Sequence, residues 1–169
     1  MDIFVEYMVK RKKTAADYLK IFGTLVLGLI LIFVVSIVFA SIPFITSFIL
    51  LAVAGVVYLM YHIITSVNVE YEYALTNAEI DVDEIINIRK RKRLTTVNVK
   101  NSEYFGYRSD ERFEKYFGDR NIKKIFACED KNAPETRYIV YTEDDDKKML
   151  LFNPNQKIEE RIEKIKPRW

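Results

Sequence analysis

The chain has 169 residues, 50% of them hydrophobic and 30% charged, with a formal charge of +2 and a mean hydropathy of −0.05. These averages resemble a soluble domain, yet no Asp, Glu, Lys or Arg occurs between Lys20 and Glu70. A small soluble core cannot cover such a run, whereas about 20 apolar residues span bilayer hydrocarbon. The remaining length suffices for one small domain, which excludes a multidomain enzyme. Cys128 is the only cysteine, which excludes a disulfide scaffold.

The first 20 residues read as a basic, amphipathic cytoplasmic arm. Residues 3–9 (IFVEYMV) are expected as a short interfacial helix or as a loosely structured arm. Lys10, Arg11, Lys12 and Lys13 follow, and Thr14 with Asp17 three residues on has the form of a helix N-cap, placing the helix start near Ala15.

The uncharged run is interrupted at Pro43, which cannot donate a backbone hydrogen bond inside a helix. Residues 21–40 and 44–64 then form two spans of about 20 residues each, joined by a very short turn. The alternative for the first span is a cleaved signal peptide, but its apolar stretch is too long and a second span follows at once. The basic residues 10–13 precede the first span and none lies in the turn. Positive charge is retained in the cytoplasm, so both termini are expected there, in a multi-pass protein of the cytoplasmic membrane. Residues 10–13 would set this topology and contact the inner leaflet. No ionisable residue in the spans marks a transport path, and Ser36 with Ala40 offers a small-xxx-small packing pair.

Residues 67–169 carry 21 basic and 21 acidic residues, so this segment has no bulk attraction to nucleic acid or anionic lipid. Residues 67–75 and 79–83 alternate with period two around a turn at Thr76-Asn77. Further strands are expected at 94–99, 104–107, 122–128, 136–142 and 147–152, with one or two helical turns at 110–117. Residues 143–146, Glu-Asp-Asp-Asp, read as a hairpin tip rather than a cation loop. Asn153-Pro154-Asn155-Gln156 introduces a terminal helix with Asn153 as cap, and Ile158, Ile162 and Ile165 fall on one side of it.

The segment YEYALTNAEID, residues 71–81, resembles the first hairpin of bacterial pleckstrin-homology-like (PH-like) domains, in which a Tyr-x-Leu-Thr-Asp/Asn turn precedes an alternating strand. The whole plan is similar to small two-span membrane proteins of Gram-positive bacteria grouped as a domain of unknown function. The resemblance implies a membrane α-helical hairpin plus a mainly-β (α+β) cytoplasmic domain, residues 67–169. That domain would be a barrel of about seven antiparallel strands capped by a C-terminal helix. Relatives carry a basic residue where this chain has Glu79, so headgroup binding does not transfer.

The most conspicuous candidate site is the basic run Arg89, Lys90, Arg91, Lys92 and Arg93. It reads either as an interaction or anionic-lipid patch, or as cross-strand pairs Asp83–Arg89, Asp81–Arg91 and Glu79–Arg93. In that register Arg89 stands about 13 Å and Arg93 about 26 Å above the membrane end of the sheet, beyond a Debye length of about 8 Å. Nucleic acid is disfavoured, because no stacking aromatics accompany the run. No catalytic, cofactor or metal residues are expected, and the chain does not read as an enzyme. The expected function is a non-catalytic interaction or scaffold module with the bilayer and a protein at the inner leaflet as partners. The alternatives are an anionic-lipid sensor and a structural subunit of a larger membrane complex.

Overall fold

The computed structural model describes residues 4–167 and divides into two compact units, residues 13–68 and residues 1–12 with 69–169. The first unit is a pair of apolar helices. Helix α1 (Ala15–Ser41) opens on a complete capping box: Thr14 Oγ1 accepts from Asp17 N–H, and the Asp17 carboxylate accepts from Thr14 N–H at 2.8 Å. The chain turns through residues 42–45 and a 3-10 segment (Thr46–Phe48) into α2 (Ile49–Thr65). Both segments are long and apolar enough to cross a membrane. They carry large exposed apolar side chains such as Leu27, Phe33 and Leu50. Their close approach is at Gly28, where an added Cβ would overlap Met60 Sδ. The Ser36 hydroxyl bonds back to the Ile32 carbonyl, and Ala40 is exposed. At the open end Lys20 Nζ donates to Ser66 Oγ at 2.9 Å.

The second unit begins with a correction. The arm expected at the N-terminus is neither an interfacial helix nor loose: residues 4–10 form strand β1 (Phe4–Lys10), paired antiparallel with β2 (Val69–Thr76), while Ile3 lies outside the described residues. Alternation explains it, since Val5, Tyr7 and Val9 stand opposite Leu75, Tyr73 and Tyr71 on the core side of the sheet. Next come β3 (Glu79–Ile86) and β4 (Lys90–Asn98), completing one sheet in the order β1-β2-β3-β4. β5 (Ser102–Tyr107), α3 (Glu111–Gly118), β6 (Lys123–Ala127), β7 (Arg137–Glu143) and β8 (Asp146–Phe152) follow, and a second sheet runs β5-β7-β8-β6.

Two departures from a barrel of about seven antiparallel strands stand out. Eight strands form two separate sheets among the described residues, with no ladder joining them, and β6 runs parallel to β8. The parallel pair arises because the chain passes β6 beyond β8 and returns through residues 128–136 before making the β7–β8 hairpin.

The second sheet is covered on both faces, which is why β7 and β8 read as continuous apolar runs rather than alternating ones. Ile139, Tyr141, Leu150 and Phe152 face the first sheet and α4 (Gln156–Ile165), whose Ile158 and Ile162 are fully buried in the same core. Tyr138, Val140, Met149 and Leu151 face Phe113 of α3. The α4 cap is Asn155, whose side chain accepts from Ile158 N–H at 2.9 Å. Asn153, expected as cap, instead receives Glu129 N–H and donates its own N–H to the Tyr73 hydroxyl at 3.2 Å.

Candidate functional site

The basic run lies in the β3–β4 hairpin, and the position of the turn decides what it does. Asn87 and Ile88 adopt φ of 50° and 61°, and Arg89 N–H donates to the Ile86 carbonyl at 3.1 Å. Asn tolerates this left-handed conformation, whereas a β-branched residue does so only at a cost. With the turn here, β3 runs to Ile86 and β4 starts at Lys90, so the run is itself strand. The expected pairs Asp83–Arg89, Asp81–Arg91 and Glu79–Arg93 are therefore overturned. Asp83 stands opposite Arg93, Ile85 opposite Arg91 and Ile86 opposite Lys90, while Asp81 faces Thr96 and Glu79 faces Asn98.

A bulge then divides the run. Val82 is opposite Thr95 and Asp83 opposite Arg93, so Leu94 is the extra residue. It switches Arg93 away from the core face of Thr95 and onto the face that holds the acids. Arg93 reaches Asp83 and Asp81 at 2.5 Å each, and Arg91 reaches Glu72 at 2.5 Å and Asp83 at 3.8 Å. Glu72 and Asp83 are buried, and burial pushes the Glu72 carboxyl up against the opposing pull of the Arg91 guanidinium. Lys90 and Lys92 stand opposite Ile86 and Glu84, are exposed, and make no ion pair among the described residues. Arg91 and Arg93 are thus structural, whereas the turn with Lys90 and Lys92 is a surface.

The register also lowers the run. Lys90 is opposite Ile86, which is opposite Val69, the first residue of β2. Arg93, through Asp83, is level with Glu72, about 10 Å along the strand at 3.3 Å per residue. Counted from residue 67, where the expectation began the strand, Arg93 stands about 17 Å along rather than about 26 Å.

Lys10 and Lys12 are paired, with Glu70 at 3.3 Å and Glu129 at 3.2 Å. Arg11 N–H donates to the Val69 carbonyl at 3.0 Å, beside β1, and Lys13 opens the helical unit. The Lys10 and Lys12 contacts are both exposed ion pairs on the surface of the domain.

Tyr107, Arg137, Gln156, Glu159, Glu160 and Glu163 line a groove of about 660 Å³ between the end of β5, an edge strand, and α4. Buried Arg137 is paired with Glu159 and lies over the Tyr107 ring, and its Nη1 has no hydrogen-bond partner among the described residues. Nothing in the sequence pattern announced this groove, because its residues come together from β5, β7 and α4.

Residues 143–146 do form the β7–β8 turn, with Asp144 and Asp145 left-handed, and the Lys148 ammonium holds the Glu143 carboxyl below the usual range. Cys128 is buried one residue beyond β6, and burial pushes its thiol up to about 11. His62 stacks on Tyr58 within α2.

No curated protein and no solved structure matches the chain. One family model does, over residues 1–169: the chain belongs to the bacterial PH-like domain family DUF6106.

Proposed function

We propose that the chain is a membrane-anchored, non-catalytic recognition module: α1 and α2 cross the cytoplasmic membrane as a hairpin and hold the PH-like domain at its inner face, where it engages a protein partner. The observation that carries this reading is the pairing of β1 with β2. The sheet takes strands from both sides of the apolar segment, so both flanks fold in one compartment. An even number of crossings satisfies that requirement, and cleavage after the first span would remove β1. The exposed apolar surface of both helices is costly in water and favourable in lipid. The basic residues 10–13 favour the cytoplasmic side. The non-catalytic part follows the family, since PH-like domains are generally non-catalytic.

The surface that suits a protein partner is the groove beside β5. An edge strand accepts an added strand through its free backbone groups. Glu159, Glu160 and Glu163 outnumber Arg137 and Lys164 along the groove, and the acidic excess favours a basic segment. The test is a photo-crosslinking residue at position 107 in the full chain in native membranes. A discrete protein adduct, lost in Glu160→Lys with Glu163→Lys, is expected. Equal labelling from position 115 on α3, or an adduct indifferent to the charge reversal, would overturn the groove.

The anionic-lipid reading gains from the register, which brings Lys90 level with the first residue of β2.

A further inference from the structure

We propose that the β3–β4 turn is a bilayer-contacting tip: Ile88 enters the interfacial layer of an anionic membrane, and Lys90 and Lys92 lie among its headgroups. The inference rests on the membrane-anchored reading above, and four observations lead to it. Ile88 is 86% exposed, the most exposed large apolar side chain of its unit among the described residues. It also holds a φ of 61°, which Asn or Gly would adopt at less cost, so neither packing nor backbone preference accounts for an isoleucine there.

The bulge commits Arg91 and Arg93 to Glu72, Asp81 and Asp83, while Lys90 and Lys92 take no part in any ion pair among the described residues. An apolar tip beside two lysines is the chemistry that suits an anionic interface, because the ammonium groups meet headgroups while the alkyl group leaves water.

Chain connectivity supplies the last element. Ile86, the residue before the turn, is opposite Val69, and the end of β1, Lys10, is opposite Glu70. The turn therefore sits at the sheet end where the chain leaves for α1 and returns from α2. Thr65 ends α2 and Val69 begins β2, so at most about 14 Å of extended chain separates them. A tip at that end is within reach of the membrane that α2 crosses. The opposite turn, at Asn77, lies a full strand length away.

The test places a polarity-sensitive thiol label at position 88 (Ile88→Cys) or 77 (Asn77→Cys) in the full chain, reconstituted in vesicles of phosphatidylglycerol with phosphatidylcholine or of phosphatidylcholine alone. Cys128 is buried, with its thiol pushed up to about 11, and stays unlabelled at pH 7. In anionic vesicles the label at 88 is expected in an apolar environment, quenched by nitroxide lipids, while the label at 77 stays aqueous. Each basic residue near the surface contributes about fivefold, so Lys90→Gln with Lys92→Gln lowers the inserted-to-free ratio roughly 25-fold.

An aqueous label at 88, equal burial at 77 and 88, or indifference to both lysines overturns the proposal. A label at 88 that is aqueous in vesicles but protected in native membranes also overturns it, in favour of a protein cover. Alkaline extraction of the same vesicles separates the two readings. Extractable protein refutes the anchor, whereas embedded protein with an aqueous position 88 refutes the tip alone.

Discussion

Replacing Arg93 by Gln tests the division of the basic run into a structural half and a surface half. Arg93 donates from Nε to Asp83 at 2.5 Å, from Nη2 to Asp83 at 3.4 Å, and pairs with Asp81 at 2.5 Å. Asp83 is 6% exposed, so its carboxylate loses a partner that water replaces poorly. Hydrogen bonds to charged groups contribute about 1.5–3 kcal/mol, and exposed pairs about 0.2–1 kcal/mol. Arg93 is 49% exposed and Arg91 remains 3.8 Å from Asp83, which places the loss between those ranges. We expect about 1–2 kcal/mol, a fall in Tm of about 2–8 °C for a chain of this length. Lys90→Gln with Lys92→Gln should stay within about 0.5 kcal/mol of wild type. Thermal unfolding of the full chain in mild detergent, followed by near-ultraviolet circular dichroism, reads both. An Arg93/Asp83 double-mutant cycle with Asp83→Asn should return about 1 kcal/mol of coupling. A lysine pair as costly as Arg93, or a cycle without coupling, would refute the assignment.

Ile88→Gly should raise domain stability by about 1 kcal/mol, because glycine adopts the left-handed conformation without a Cβ penalty. The same detergent melt measures it, and a loss of stability would mean that Ile88 packs within the fold. Gly28→Leu should destabilise the helix pair by about 1–3 kcal/mol through overpacking against Met60. Adding Met60→Ala should recover most of that loss, and failure to recover would place the clash elsewhere. The Lys148 hydrogen bond holds the Glu143 carboxyl below its ordinary value of 4.5. Its contribution is therefore present above about pH 4.5 and lost as pH falls through the lower folded value. The Tm difference between wild type and Glu143→Gln should shrink on acidification from pH 6 to 3, and a difference that grows would contradict the sign.

Much of this architecture is legible in local patterns. The uncharged run, Pro43 and the Thr14–Asp17 box locate both apolar helices, and the alternation around Asn77 locates β2 and β3. Ile158 and Ile162 mark the buried side of α4. What escaped was set by single residues or by distant partners. β1 alternates as clearly as β2, but its partner lies beyond the whole apolar segment, so a seven-residue strand beside a basic run read as an arm. The turn at Asn87-Ile88 lacks the glycine that advertises a left-handed pair, and placing it two residues early displaced every charge pairing of the run. The bulge at Leu94 has no signature at all, yet it decides which cations meet the acids. The parallel β6–β8 pair and the groove beside α4 depend on chain crossing rather than on local periodicity.

The most direct test of the membrane-anchored account is cysteine accessibility in right-side-out vesicles, with one cysteine introduced at a time at position 13, 41 or 68 in the full chain, whose own Cys128 is buried. The pairing of β1 with β2 around an apolar hairpin, together with the basic residues 10–13, predicts that an impermeant maleimide labels only Ser41→Cys from outside. Lys13→Cys and Asn68→Cys should react only after the vesicles are opened. Labelling of either position 13 or position 68 alone from outside would mean a single crossing, which the shared sheet does not allow.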